Sequence, residues 1–204
     1  MNNNMQIRAL TINYSVFQGL KSVPLGLLLS IMSLWASAQT GPASDLLFPL
    51  ICSLLFFYLY WVIYQFYRQV YGVVMPTHQQ RLLAGLRDAA LGGAALAAFW
   101  IDVSMKPSVS VLGFIFAGAF LTDYLWIARQ AKERLLLFYP AAALLLIFLS
   151  VLPAFGVAWW NLMGIKALIL AICTVAGLLF TVLGVLVHIS LENMLLHSKE
   201  LGYE

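Results

Sequence analysis

Stretches of about 20 residues almost free of charge follow one another along this chain, separated by short breaks rich in Pro, Gly and polar residues. A bilayer core is roughly 30 Å thick, and a helix rising 1.5 Å per residue crosses it in about 20 residues. Each stretch therefore reads as a transmembrane helix. Composition agrees: only 9% of the residues are charged and 63% are hydrophobic, whereas soluble domains carry about a quarter charged residues.

The spans are expected over residues 18–38, 46–67, 82–101, 108–128, 135–155 and 166–188. These make one all-α domain over residues 1–204, a polytopic bundle of six transmembrane helices with no room for a separate soluble domain. The breaks are marked by Thr40-Gly41-Pro42, by Met75-Pro76-Thr77-His78, by Lys106-Pro107-Ser108, and by Gly156 with Trp159-Trp160-Asn161. Such clusters interrupt helices, and indoles suit the membrane interface.

With both termini in the cytoplasm, Arg8, Lys21, Arg68, Arg81, Arg87, Arg129, Lys132, Arg134 and Lys199 fall on the cytoplasmic side and only Lys106 and Lys166 outside. That bias follows the positive-inside rule. Tyr58, Tyr60, Trp61, Tyr64, Tyr67 and Tyr71 then form an aromatic belt at the cytoplasmic headgroups. A competing start is a signal peptide, since the run after Lys21 ends in Ala36-Ser37-Ala38-Gln39, a small-residue pattern of the kind signal peptidase cleaves. The long region before Lys21 favours an uncleaved first helix. Ile7, Leu10, Ile12, Tyr14 and Phe17 suit an interfacial amphipathic helix, and a disordered start followed by an early helix fits the same residues equally well. The likeness of residues 57–62 to residues 122–127 is generic interface chemistry rather than a repeat.

Ionisable residues inside spans are costly and are candidate sites by default. Arg87 and Asp88 lie near the inner end of the third span and Asp123 near that of the fourth. Their offsets of about 9 Å from the flanking arginines put Arg87 and Asp123 at similar depth, so an interhelical ion pair is expected. Arg87 and Asp88 point about 100° apart on their helix and are not expected to pair directly. The third span carries Asp88, Gly92, Ala95, Phe99 and Asp102 on one stripe and a ladder of Ala89, Gly93 and Ala97 beside it, which predicts a central position. His188 and Glu192 form an i,i+4 pair at the inner end of the last span.

One His and one Glu are too few for zinc, and neither His78 nor His197 offers a second haem ligand at depth. No metal or cofactor is expected. Cys52 and Cys173 lie in apolar stretches and read as small packing residues. No nucleotide-binding, metalloprotease or hydrolase motif is present, and scattered basic residues exclude a nucleic-acid partner. The residue patterns of ABC-exporter permease halves, small multidrug carriers, membrane-bound lipid phosphatases and prenyl proteases are absent.

Three functions fit. The first is a non-catalytic membrane subunit or scaffold, in a plasma or bacterial inner membrane, assembling as a homo-oligomer or with other membrane proteins and offering the Arg129–Arg134 loop and its C-terminal tail. The second is a small transporter or channel using Arg87, Asp88 and Asp123, with Arg87 holding an anionic group and Asp123 exchanging a proton. The third is a lipid-active enzyme that brings His188 or Glu192 to Asp123.

Overall fold

The computed structural model describes residues 19–38, 47–70, 78–105, 108–128, 137–155 and 158–200, helical throughout except at residues 108–110. A 3-10 turn, Gly19–Lys21, leads into α1, Ser22–Ala38. The others are α2, Leu47–Val70; α3, His78–Met105; α4, Val111–Ala128; α5, Phe138–Val151, with a 3-10 turn Leu152–Phe155; and α6, Ala158–Glu200. Prolines 24, 49 and 140 each occupy the third position of their helix, where the missing N–H has no intrahelical acceptor to lose. Pro153 in the 3-10 turn after α5 ends that helix for the opposite reason, because there its nitrogen lies where a donor is needed.

Five helical segments are long and apolar enough to cross a membrane, Gly19–Ala38, Leu47–Val70, Gly85–Met105, Phe138–Phe155 and Ala167–Asn193, and α4 adds a shorter apolar one, Val111–Leu125. The chain is a multi-pass helical membrane protein. The N-terminal amphipathic segment, the 40–42 and 75–77 breaks, Lys106-Pro107, Gly156 and the Arg129–Arg134 loop lie outside the described residues.

The fifth break is shorter than the sequence suggests. Trp159, Trp160 and Asn161 belong to α6, whose 43 residues reach about 65 Å, twice the hydrocarbon thickness. Nothing there stops a helix, since a lone Gly164 costs only about 1 kcal/mol. By the same continuity His78 opens α3 and His197 lies in α6, not in a loop and a tail.

α6 is the hub. It packs on α1, α3, α4 and α5, and Leu168, Ile172, Ala176, Leu183, Val187 and Leu191 recur at helical spacing to meet Ala117 and Phe120 of α4 and Ala142, Ala143 and Leu146 of α5. α3 is peripheral, contrary to its expected central place: its span is 11% buried against 39% for that of α6. Ala98 and Asp102 are its buried residues among those described. Small residues permit close packing but do not require it, and Ala89, Gly93 and Ala97 are exposed.

Close packing occurs instead between α1 and α6. A Cβ on Gly26 would run into the Gly177 carbonyl oxygen, and one on Gly19 into that of Gly184. The pairs advance in opposite directions along the two helices, so they are antiparallel with backbones in contact. Ser22 Oγ donates to the Phe180 carbonyl and Ser30 Oγ to that of Thr174, both at 3.2 Å, and the Ser33 and Thr174 hydroxyls are 2.6 Å apart. Lipid offers no hydrophobic drive between helices, so dispersion and these interhelical bonds hold the pair.

Candidate functional site

Among the described residues, two clusters with charged side chains lie at the end of the bundle remote from the α3–α4 turn. The end is fixed by α6: Ile169 packs on Ala98 and Leu112 beside that turn, and His188 lies 19 residues further along the same helix.

The first cluster joins α3 to α4. Arg87 Nη1 lies 3.2 Å from Asp123 Oδ1, while Nε and Nη2 reach Asp88 Oδ1 at 3.1 and 3.0 Å. The α3–α4 hairpin runs antiparallel, which brings residues 36 apart in sequence to one depth. The direct Arg87–Asp88 pair corrects the expectation from their 100° separation, because a guanidinium on a three-carbon stem folds back across one residue's rotation. All three guanidinium nitrogens face a carboxylate, so Arg87 is turned to protein acids and not to an outside anion. Two carboxylates share one cation. The side chains of Arg87, Asp88 and Asp123 are 45%, 65% and 31% exposed on the bundle's surface, so this is an outward-facing cluster rather than a packed internal pair.

The second cluster joins α1, α2 and α6. Tyr67, 1% exposed, accepts the Leu20 N–H at 3.2 Å and stands 2.9 Å from His188 Nδ1. His188 Nε2 lies 3.4 Å from Glu192 Oε1. The Tyr67 hydroxyl, which accepts from Leu20, thus shares a hydrogen bond with His188 Nδ1 whose donor is set by the imidazole tautomer. Tyr67 and His188 rings meet edge to face, 5.6 Å between centroids. The sequence reading placed Tyr67 in the aromatic belt and missed this role; its one visible signal is its helical spacing from Tyr60 and Tyr64. The structure thus groups Arg87, Asp88 and Asp123 together, and His188 and Glu192 with Tyr67.

A third polar feature escaped the sequence reading. Asp102 has no exposed surface. Its carboxylate accepts from Ser110 Oγ at 2.6 Å, Val111 N at 2.8 Å and Leu112 N at 3.1 Å, and Ser110 Oγ accepts from Gly113 N at 3.3 Å. Asp102 and Ser110 together cap α4, satisfying donors that the first turn of a helix leaves open. The Ser110 N–H donates to the Ser150 carbonyl at 2.9 Å, fastening the turn to α5.

Among the described residues, no three His, Cys, Asp or Glu side chains are grouped to hold a metal ion, and Cys52 and Cys173 are free thiols. No protein-family model, no curated protein and no solved structure matches this chain.

Proposed function

We propose that the chain is a non-catalytic membrane subunit that assembles with further copies or with other membrane proteins through the outer face of α3, in a plasma or bacterial inner membrane with both termini cytoplasmic. The glycines of α3 carry this reading. A glycine inside a helix costs about 0.5–1 kcal/mol relative to alanine, and in α1 and α6 that cost is offset by backbone contact. Gly85, Gly92 and Gly93 have nothing within 4 Å of where a Cβ would stand. Gly85, Ala89, Gly93 and Ala97 follow at four-residue steps and are all exposed, the pattern that lets a second transmembrane helix approach closely.

The test is a photo-crosslinking side chain at Ala97 in native membranes. A protein adduct of discrete mass that disappears on Gly93→Leu is the expected result. Adducts to lipid alone would remove the reading.

A second reading, a small carrier or channel, draws on the unequal count in the first cluster. Two carboxylates against one guanidinium leave a negative charge that a proton or a cation neutralises when lipid surrounds it. It expects Asp123→Asn to assemble normally in vesicles while losing proton or cation flux; a variant that fails to assemble supports the structural role instead.

A further inference from the structure

At the Tyr67 end of the bundle, a cation from the turn before α1 lies over an aromatic ring of α2, and a second cation of α2 follows that ring by one helical turn. Lys21 Nζ lies 5.2 Å from the centroid of the Tyr64 ring. Arg68 follows Tyr64 by four residues on α2, which puts its side chain on the same face one turn further along. The Leu20–Tyr67 hydrogen bond holds the start of α1 and the end of α2 at one level, so their sequence neighbours Lys21 and Arg68 stand at one level too.

Neither cation has a carboxylate within salt-bridge distance among the described residues. Of the described carboxylates at this end, Glu192 lies 3.4 Å from His188 Nε2, and Asp88 and Asp123 face Arg87. Lys21 is half-buried and Arg68 exposed, each in the terminal turn of an apolar span, the depth at which phospholipid phosphates lie. Arg87 differs in that its nitrogens are all directed to Asp88 and Asp123.

We propose that Lys21, over the Tyr64 ring, and Arg68, one turn further along α2, bind the phosphate of an anionic phospholipid headgroup in the leaflet bordering this end. The ring keeps the ammonium in place by cation–π attraction. The guanidinium offers a fork of donors to the phosphate oxygens. The acyl chains lie along the apolar surface of α2, where Trp61 and Phe57 are 57% and 65% exposed.

The experiment uses the full chain in vesicles of phosphatidylcholine mixed with phosphatidylglycerol, re-extracted in mild detergent, with the retained lipid read by native mass spectrometry. Phosphatidylglycerol is expected to be retained in preference to phosphatidylcholine. Removing one cation near a charged headgroup weakens binding by about 1 kcal/mol, or about fivefold, so Lys21→Gln and Arg68→Gln each lower retention by that factor. Lys21→Arg, which keeps the charge, restores it and shows that the loss is not one of folding. Equal retention of the two lipids, or unchanged retention in both glutamine variants, overturns the proposal. Displacement of phosphatidylglycerol by inorganic phosphate alone identifies a free-phosphate site and overturns the lipid assignment.

Discussion

Asp88 and Asp102 sit on the same helix, yet their surroundings are opposite, and the difference is one of donors. Asp88 keeps most of its surface and shares Arg87 with Asp123. Asp102 gives up all of its surface in return for a hydroxyl and two backbone N–H groups at a helix start, where the helix dipole also favours negative charge. Asp102→Ala strands the Val111 and Leu112 donors in a place water does not reach, which costs about 1–3 kcal/mol for an unmet buried donor. A clear drop in thermal stability in detergent is expected, with a smaller one for Asp102→Asn, whose remaining carbonyl oxygen still accepts. Equal melting of Asp102→Ala and the unaltered protein would show that the cap contributes nothing. The sequence marked Asp102 only as one member of a stripe. Its purpose depends on a turn that returns Ser110 to it across eight residues, and chain spacing does not display that return.

At the level of helices, the same logic separates two sets of glycines. Gly19 and Gly26 are seven residues apart, as are Gly177 and Gly184, and each member meets backbone or side-chain atoms of the opposite helix. A valine at Gly26 drives its branches into the Gly177 carbonyl and the Thr181 side chain. Gly26→Val should therefore lower the melting temperature, overpacking of this kind costing about 1–3 kcal/mol or more. Gly92→Ala meets open space and should leave the isolated bundle as stable or more so, by up to about 1 kcal/mol from helix propensity. If both variants melted alike, glycine contact would not be what joins α1 to α6. Span positions were readable because a bilayer imposes one length on every apolar run. The choice of α6 as hub was not, since a peripheral and a central transmembrane helix are equally apolar and differ only in which small residues face protein. The paired glycines of α1 and α6, repeating at one heptad in both, were the available signal.

Across the whole molecule, α6 carries α1 on its glycine face and the α3, α4 and α5 group against its apolar residues, while α2 touches the rest through a narrow stripe ending at Tyr67. The depth of the Arg87–Asp123 pair was legible because both residues are counted from the same membrane surface. Their exposure was not, because hydropathy says how deep a residue lies and nothing of which way it faces. Orientation joins the two ends into one argument. The Asp102–Ser110 turn closes one end of the α3–α4 hairpin with a buried cap, and the Tyr67, His188 and Arg87 clusters lie at the other end, the one the positive-inside reading assigns to the cytoplasm. In a protein freed of thiols by Cys52→Ser and Cys173→Ala, Ser108→Cys should be modified by a membrane-impermeant reagent applied to intact cells. Gln130→Cys should react only after the cells are opened. The reverse labelling would turn the bundle over, set the basic residues against the positive-inside rule, and move the lipid site of Lys21 and Arg68 to the outer leaflet.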